Sequence, residues 1–243
     1  MQLMSTAKSA DEENFDKMRA AYDACLNEDK IKSIGAGPLK QVLDEIKKTC
    51  SAIASDSNSI KDTILLLAKY GITGLVSTGT GADDTDPDTV VVSVGAPYNF
   101  GLPSKERYED EKLVEKYRGV AVEVLSAMYP DQDKAVFEGI IDLEKKLAAA
   151  SPSEEDREDV TKSYNPFSID DAAAIAPEIE LKALLAGQAP EGSDIKRVIV
   201  TTPNYLKGLS VILAATSEDV LQAYFIWKAV QSLSAYVLSL IHI

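Results

Sequence analysis

The segment at residues 71–96, GITGLVSTGTGADDTDPDTVVVSVGA, interrupts a chain whose pattern is otherwise helical. Its two runs rich in β-branched residues predict antiparallel strands over about 73–79 and 89–95. The intervening ADDTDPD has the composition of a turn. It lacks the ligand spacing and the terminal glutamate of an EF-hand, so we interpret it as a solvated hairpin tip rather than a calcium site. The segment therefore predicts one small antiparallel hairpin within a helical protein.

Apolar residues at helical spacing predict amphipathic helices on both sides of this hairpin. The longer predicted helices cover about 11–26, 37–53, 59–71, 105–128 with Ser104 as its cap, 132–149, 203–213 and 216–237. On the helix at 132–149, we expect Glu144, Lys145 and Lys146 to face water. The run KRVIVTT predicts one short strand at about 196–201. The predicted fold class is mainly α, a multi-helix domain with a hairpin at about 73–95 and this further strand.

The charge of the chain excludes several classes of partner. The 243 residues carry a formal net charge of −14, with a sequence pI near 4.6. Nucleic-acid phosphates and anionic membrane surfaces both require a basic protein surface. The longest apolar runs, such as TILLLA, are far too short to span a bilayer. We therefore expect neither nucleic-acid binding nor membrane contact by this segment.

The sequence offers no recognisable catalytic constellation. His242 is the only histidine, so the chain cannot supply the H-E-x-x-H motif of a zinc peptidase. A Ser-His-Asp site would place its base one residue from the terminus, where chains usually fray. Cys25 and Cys50 can form one disulfide or none, and composition favours two buried free thiols. We accordingly predict no catalytic, cofactor-binding or metal-binding residue in this chain.

Four segments, in order, resemble the N-terminal helical portion of the neprilysin and endothelin-converting-enzyme family of zinc metallopeptidases. The first segment carries Tyr-x-x-Cys and Gly-x-x-Pro-Leu, and the second carries an Asp-rich hairpin followed by Gly-Leu-Pro and a tyrosine. The third carries a Leu-Glu-x-x-Leu-Ala helix followed by Tyr-Asn, and the fourth carries a Pro-x-Tyr-Leu helix followed by a Trp-bearing helix. The segments are YDACLNEDKIKSIGAGPLKQVLDEI, GADDTDPDTVVVSVGAPYNFGLPSKERY, DLEKKLAAASPSEEDREDVTKSYNPFSIDD and VIVTTPNYLKGLSVILAATSEDVLQAYFIWKAVQSLS. The resemblance covers about residues 12–236.

The resemblance implies a helical domain that covers a catalytic domain and encloses a chamber admitting peptides. In that family the zinc ligands, the catalytic glutamate and the substrate-holding Asn-Ala motif lie farther along. The implied partners are therefore the missing C-terminal catalytic domain and, in the full-length enzyme, peptide substrates. We expect no cofactor in this chain and zinc in the full-length parent. Such parents are usually secreted or anchored facing outward, although the chain itself carries no signal for its location.

Cys25 matches the family's cysteine in Tyr-x-x-Cys, whose disulfide partner also lies farther along. This resemblance implies that Cys25 is a structural cysteine whose partner is absent from this chain. Cys50 matches no family position, so a Cys25–Cys50 bond would be a new pairing.

The last six residues, LSLIHI, depart from the family pattern. They can be encoded by CTG-TCT-CTT-ATA-CAC-ATC, the end of a sequencing-library transposon adapter, so we hypothesise that 238–243 are a translated adapter scar. Residues 1–237 would then be a partial N-terminal, chamber-forming domain. Such a domain is expected to expose apolar residues of its last helix, and burial of Trp227, Leu233 and Val237 together would count against it.

Two functional interpretations remain open. The first is a fragment of a neprilysin-like zinc metalloendopeptidase that is inactive by itself. The second is a stand-alone, non-catalytic helical binding module derived from such a peptidase. A reading frame that continues to H-E-x-x-H favours the first, and a natural stop codon favours the second.

Overall fold

The computed structural model describes residues 12–51 and 58–234. The chain divides into two compact units, one of residues 1–41 with 233–243 and one of residues 42–232. No helix in the described ranges is long and apolar enough to cross a lipid bilayer. The predicted adapter scar at 238–243 and the predicted last-helix residue Val237 lie outside these ranges.

The first unit begins with two consecutive helices, α1 (Glu12–Leu26) and α2 (Glu28–Ile34). The Asn27 side chain caps α2 by accepting a hydrogen bond from the Lys30 amide, which satisfies one of the free N–H groups at the helix start. On α1, Met18, Tyr22 and Leu26 recur every four residues and are exposed. The predicted helix at 11–26 is therefore present, and its apolar face lies on the surface.

Ten further helices are present in the described residues. They are α3 (Gly37–Cys50), α4 (Asn58–Lys69), α5 (Glu111–Met128), α6 (Lys134–Ala150), α7 (Glu154–Glu158), α8 (Val160–Ser163), α9 (Ile169–Ile175), α10 (Leu181–Gln188), α11 (Pro203–Ala214) and α12 (Glu218–Leu233). Within the second unit α6 packs against both α5 and α11, and α10 packs against α4 and α9. Most of the core side chains come from these helices, as the mainly α prediction requires.

Helix α12 is buried on all sides through its middle. Its buried residues are Leu221, Ala223, Tyr224, Phe225, Ile226, Trp227, Lys228, Ala229 and Val230. A helix that is buried all round belongs to the interior of a protein rather than to its surface. Trp227 is therefore covered within the second unit, whereas Leu233 is half-buried and Val237 lies outside the described residues, so the three are not all shown to be buried.

Four strands form one mixed sheet. They are β1 (Ser77–Asp83), β2 (Asp86–Gly95), β3 (Pro166–Ser168) and β4 (Arg197–Val200), in the order β1-β2-β4-β3. The β1–β2 and β3–β4 pairs are antiparallel, whereas β2 and β4 run parallel. The predicted hairpin and the predicted strand near 196–201 are both present. The hairpin starts at residue 77 rather than 73, and β3 was not predicted.

The sheet is joined to neighbouring elements by buried and partly buried hydrogen bonds. Tyr205, on the first turn of α11, is fully buried and its hydroxyl donates to the Leu75 carbonyl at 2.6 Å. The Ala96 amide at the end of β2 donates to the Thr202 hydroxyl at 2.7 Å. The Asn165 side-chain amide donates to the Val200 carbonyl at 3.1 Å. These bonds fix the start of α11 and the segment before β3 against the sheet.

We expect the substitution Tyr205→Phe to reduce the free energy of unfolding by about 1–3 kcal/mol, because it leaves the buried Leu75 carbonyl without its donor. Tyr98→Phe is the matched control, since the Tyr98 side chain is 68% exposed. Urea unfolding of both variants measures the difference. Equal stability of the two variants would show that the Tyr205 hydroxyl does not stabilise the fold.

Candidate functional site

Glu144, on α6, is fully buried, with 0% of its surface exposed. The expectation that it faces water is wrong. Its Oε2 atom accepts a hydrogen bond from the Tyr108 hydroxyl at 2.9 Å, and its Oε1 atom accepts one from the Tyr117 hydroxyl at 3.1 Å. A buried carboxylate is tolerated only when its oxygens are satisfied in this way. We name Glu144, Tyr108, Tyr117, Trp227 and Lys228 the Glu144 cluster.

Tyr108 connects this cluster to the loop that follows β2. While its hydroxyl donates to Glu144, its oxygen accepts hydrogen bonds from the Gly101 and Leu102 amides, each at 3.0 Å. A β-carbon at Gly101 would collide with the Tyr117 hydroxyl and with the Glu144 carboxylate. Only glycine therefore fits at this position, which gives a physical reason for the Gly-Leu-Pro and tyrosine of the motif.

Tyr117 connects the cluster to α12. Its oxygen accepts hydrogen bonds from Trp227 Nε1 at 2.7 Å and from Gln231 Nε2 at 2.9 Å. The ring centroids of Tyr117 and Trp227 lie 6.0 Å apart, within the range of favourable aromatic contact. Lys228 is also buried, and its ammonium group donates to the Phe100 carbonyl. The cluster thus links α5, α6, α12 and the loop after β2.

Burial dominates the electrostatics of this cluster. It raises the pKa of Glu144 from 4.5 to about 7, against the opposing effects of the Tyr108 hydrogen bond and the Lys228 charge. Burial also lowers the pKa of Lys228, and the Glu144 charge acts in the opposite direction. The pKa values of Tyr108 and Tyr117 are raised, chiefly by burial and then by the nearby Glu144 charge. Both hydroxyls therefore keep their protons and act as donors to Glu144.

A second polar cluster is centred on Asp83, at the end of β1. Asp83 is buried, and its Oδ1 atom accepts hydrogen bonds from the Thr85 amide, the Thr85 hydroxyl and the Tyr164 hydroxyl, each at 2.8 Å. Arg197 pairs with its Oδ2 atom. The Thr85 amide bond is the largest cause that lowers the pKa of Asp83. The prediction of a solvated hairpin tip is therefore wrong for Asp83, whose oxygens are used to hold the hairpin against β4.

The remaining candidates for chemistry are the cysteines and carboxylates. Both cysteines are free thiols, and Cys25 is exposed, so the expectation of two buried thiols is wrong for Cys25. Burial raises the pKa of Cys50 to about 11, and its sulfur lies 3.4 Å from the Thr63 hydroxyl. Cys50 is therefore protonated at neutral pH and is a poor nucleophile. Among the described residues, no three His, Cys, Asp or Glu side chains are placed to hold a metal ion.

The fold and these clusters define a helical scaffold domain in which the motif residues are used for internal contacts. The sequence model of peptidase family M13 matches residues 1–241. The chain belongs to peptidase family M13 and corresponds to the N-terminal domain of that family. The resemblance to the neprilysin and endothelin-converting-enzyme family is thereby confirmed.

Similar proteins agree with this assignment. Endothelin-converting enzyme-like 1 of Mus musculus is 27% identical over 92% of this chain, and endothelin-converting enzyme 1 of Rattus norvegicus is 26% identical over 96%. The alignments cover 30% and 32% of those proteins, so the chain spans about a third of the length of these relatives.

Solved structures show the same fold. A zinc metalloprotease of Mycobacterium tuberculosis in complex with an inhibitor matches with a TM-score of 0.73 at 20% identity, covering 87% of this chain and 32% of that one. PepO of Lactobacillus rhamnosis matches with a TM-score of 0.61 at 20% identity, covering 84% and 32%. The helical architecture described above is therefore shared with these larger proteins.

Part of the Glu144 cluster lies in the motifs that carry the family resemblance. Tyr108 lies in the hairpin motif, together with the adjacent Gly101, and Glu144 lies in the Leu-Glu-x-x-Leu-Ala motif, although its burial was not predicted. Lys228 was not singled out, and the signal that could have identified it is a lysine within the apolar run YFIWKAV. A charge in the middle of a buried helix requires a partner of opposite sign.

We expect Gly101→Ala to lower the free energy of unfolding by about 1–3 kcal/mol, because the added methyl group displaces the Tyr117 hydroxyl and the Glu144 carboxylate. Gly119→Ala is the matched control in α5. A β-carbon at Gly119 meets nothing within 4 Å, so this change should stabilise the helix by roughly 0.5–1 kcal/mol. Thermal or urea unfolding compares the stabilities of the two variants. If Gly101→Ala left the stability unchanged, the backbone of Gly101 could not lie so close to Tyr117 and Glu144.

The pH dependence of stability tests the burial of Glu144. Because the folded-state pKa is raised, the folded protein binds the Glu144 proton more tightly than the unfolded chain does. The stability that this proton contributes is complete below pH 4.5 and is lost as the pH rises to about 7. Glu144→Gln should remove this decline, because its neutral amide does not titrate and corresponds to the protonated form of Glu144.

Urea unfolding at a series of pH values between 5 and 8 measures the difference between the two proteins. The wild type should lose stability relative to Glu144→Gln as the pH rises, because only the wild type carries the titrating carboxyl group. The exposed Glu123→Gln serves as the control and should leave the profile unchanged. A constant difference between wild type and Glu144→Gln would mean that Glu144 does not titrate in the interior.

Proposed function

We propose that this chain is the helical, chamber-forming part of a zinc metalloendopeptidase and that catalysis belongs to the remainder of the full-length protein. The match to peptidase family M13 carries this proposal. The relatives are about three times as long as this chain, and one of the matching structures is a zinc metalloprotease. Zinc would then be bound in the full-length parent by residues outside the described ranges.

The Glu144 cluster supports a scaffolding role within such an enzyme. Tyr108, Tyr117 and Trp227 use their polar groups in hydrogen bonds within the cluster, and Lys228 donates to the Phe100 carbonyl, so these groups are engaged inside the domain. A satisfied buried network of this kind makes a domain rigid and fixes one arrangement of its helices. A rigid wall is what a chamber needs if it is to admit peptides and exclude folded proteins.

We further propose that residues 1–237 form part of this domain and that 238–243 are the adapter scar. The acidic surface implies that the parent acts on peptides away from nucleic acid, and the family membership favours a secreted or outward-facing enzyme. Cys25 would pair with a cysteine of the remaining protein. Its exposure on α1, beside the exposed Tyr22 and Leu26, supports a surface that the remaining protein covers.

The full-length gene decides between the proposals. We expect its reading frame to continue past Ser234 to H-E-x-x-H, and the encoded protein to hydrolyse an internally quenched peptide. Because catalysis requires the metal, 1,10-phenanthroline should abolish this hydrolysis and added zinc should restore it. The 243-residue chain should show no hydrolysis under the same conditions.

Two outcomes would count against this proposal. A natural stop codon in genomic DNA, with no H-E-x-x-H, would favour a stand-alone binding module. Chelator-insensitive hydrolysis by the purified 243-residue chain would indicate a different enzyme. The same genomic sequence also tests the adapter hypothesis, because any other codons across 238–243 would exclude it.

A further inference from the structure

The two edge strands of the mixed sheet, β3 and β1, differ in how well they are protected against pairing with a further strand. The β3 edge has three residues and begins with Pro166, which blunts it against pairing. The β1 edge has seven residues, of which five are exposed, and its stretch from Ser77 to Ala82 contains no proline and no charge. Soluble proteins usually protect an edge of this length with charges, prolines or a covering element. The β1 edge is therefore a template on which another strand can pair.

A groove of about 400 Å³ flanks this edge. One wall is formed by Thr78, Gly79 and Thr80 of β1, and the other by the loop after α10, including Pro190 and Ile195. The Thr78 hydroxyl donates to the Gln188 side-chain carbonyl at 2.8 Å, which holds the end of α10 beside the strand. A strand added to β1 would place alternate side chains on this face of the sheet, where the groove lies.

The β1 backbone is accessible to a partner chain. Gly79, Gly81 and Ala82 are exposed, and a β-carbon at Gly81 would meet nothing within 4 Å. Small residues leave the outward N–H and C=O groups uncovered. Pairing with an extended peptide would satisfy those groups, as it does in other edge-strand recognition.

The negative charge near the β1 edge favours a positively charged binding partner. Asp84, Asp86 and Asp88 are exposed beside the end of β1, and no cation of the described ranges lies within ion-pair distance of them. Asp194 is the one charged residue that lines the groove, and it pairs with Lys196 on the surface at 3.1 Å. The whole chain carries a net charge of −14. An approaching positive chain is therefore favoured electrostatically over a negative one.

We propose that β1 binds an extended, positively charged peptide as an additional strand of the sheet, with alternate side chains in the adjoining groove. The inference builds on the proposed peptidase function, and it adds a place and a charge preference for peptide binding. It concerns this chain alone, so it can be tested without the catalytic domain.

The first test uses synthetic peptides of seven residues, the length of β1. Fluorescence anisotropy compares a labelled peptide of alternating lysine and valine with one of alternating glutamate and valine. We expect the lysine peptide to bind at least about tenfold more tightly, a difference that added salt reduces. Two methylated lysine peptides are then compared, each carrying N-methyl groups on one of the two alternate sets of backbone nitrogens. Methylation of the set that faces β1 should weaken binding, and methylation of the other set should leave binding unaffected.

Failure of the lysine peptide to bind, or binding that tolerates methylation of either set of backbone nitrogens, would overturn the proposal. Neither result would affect the test of the full-length peptidase, which measures chelator-sensitive hydrolysis. If the chain instead formed dimers through the β1 edge, the occupant would be a second copy and the peptide proposal would be wrong.

A pair of adjacent variants locates the binding site. Successive N–H groups of β1 point alternately toward β2 and away from it, so only one of Thr80→Pro and Gly81→Pro breaks the hairpin ladder. Circular dichroism identifies the variant that keeps the native fold, and this variant should lose peptide binding. Replacing Asp84, Asp86 and Asp88 together by asparagine should weaken the binding of the lysine peptide and should not weaken the binding of the glutamate peptide. Unchanged binding by the folded proline variant would place the peptide elsewhere.

Discussion

The burial of the Glu144 carboxylate is the constraint on which the rest of the second unit depends. Moving an unpaired carboxylate from water into a protein interior costs several kcal/mol, so the fold must supply its donors. Tyr108, Tyr117 and Lys228 provide two hydroxyl hydrogens and one positive charge. Since these residues lie on separate elements, satisfying Glu144 requires the loop after β2, α5 and α12 to occupy their places together.

This requirement links the segments that carry the family resemblance. Gly101 and Tyr108 come from the hairpin segment, Glu144 from the helix α6, and Trp227 from α12. The sheet is joined to α11 through Tyr205, and Asp83 joins the hairpin to Tyr164 and Arg197 from later parts of the chain. The motifs of this M13 domain therefore contribute contacts that hold the domain together.

Much of the fold could be predicted from local patterns. Apolar periodicity identified the long helices, and β-branched runs identified β1, β2 and β4. The strand β3 was not predicted, because three residues that include Pro166 are too few to show an alternating apolar pattern. Glu144 was assigned to the surface because it adjoins two lysines, and helical period alone does not reveal that tyrosines from distant elements cover it. The burial of Asp83 depends in the same way on Arg197, more than one hundred residues away along the chain.

Native-state hydrogen exchange at the amides of Gly101 and Leu102 tests the central claim most directly. Both amides donate to the Tyr108 hydroxyl inside the Glu144 cluster. They should exchange only through the global unfolding of the second unit, as slowly as the amides of the α6 interior. In Tyr108→Phe their protection should fall while that of α6 persists. Exchange in the wild type as fast as that of the exposed Tyr98 and Asn99 would contradict the account, because the loop would then be free of the cluster.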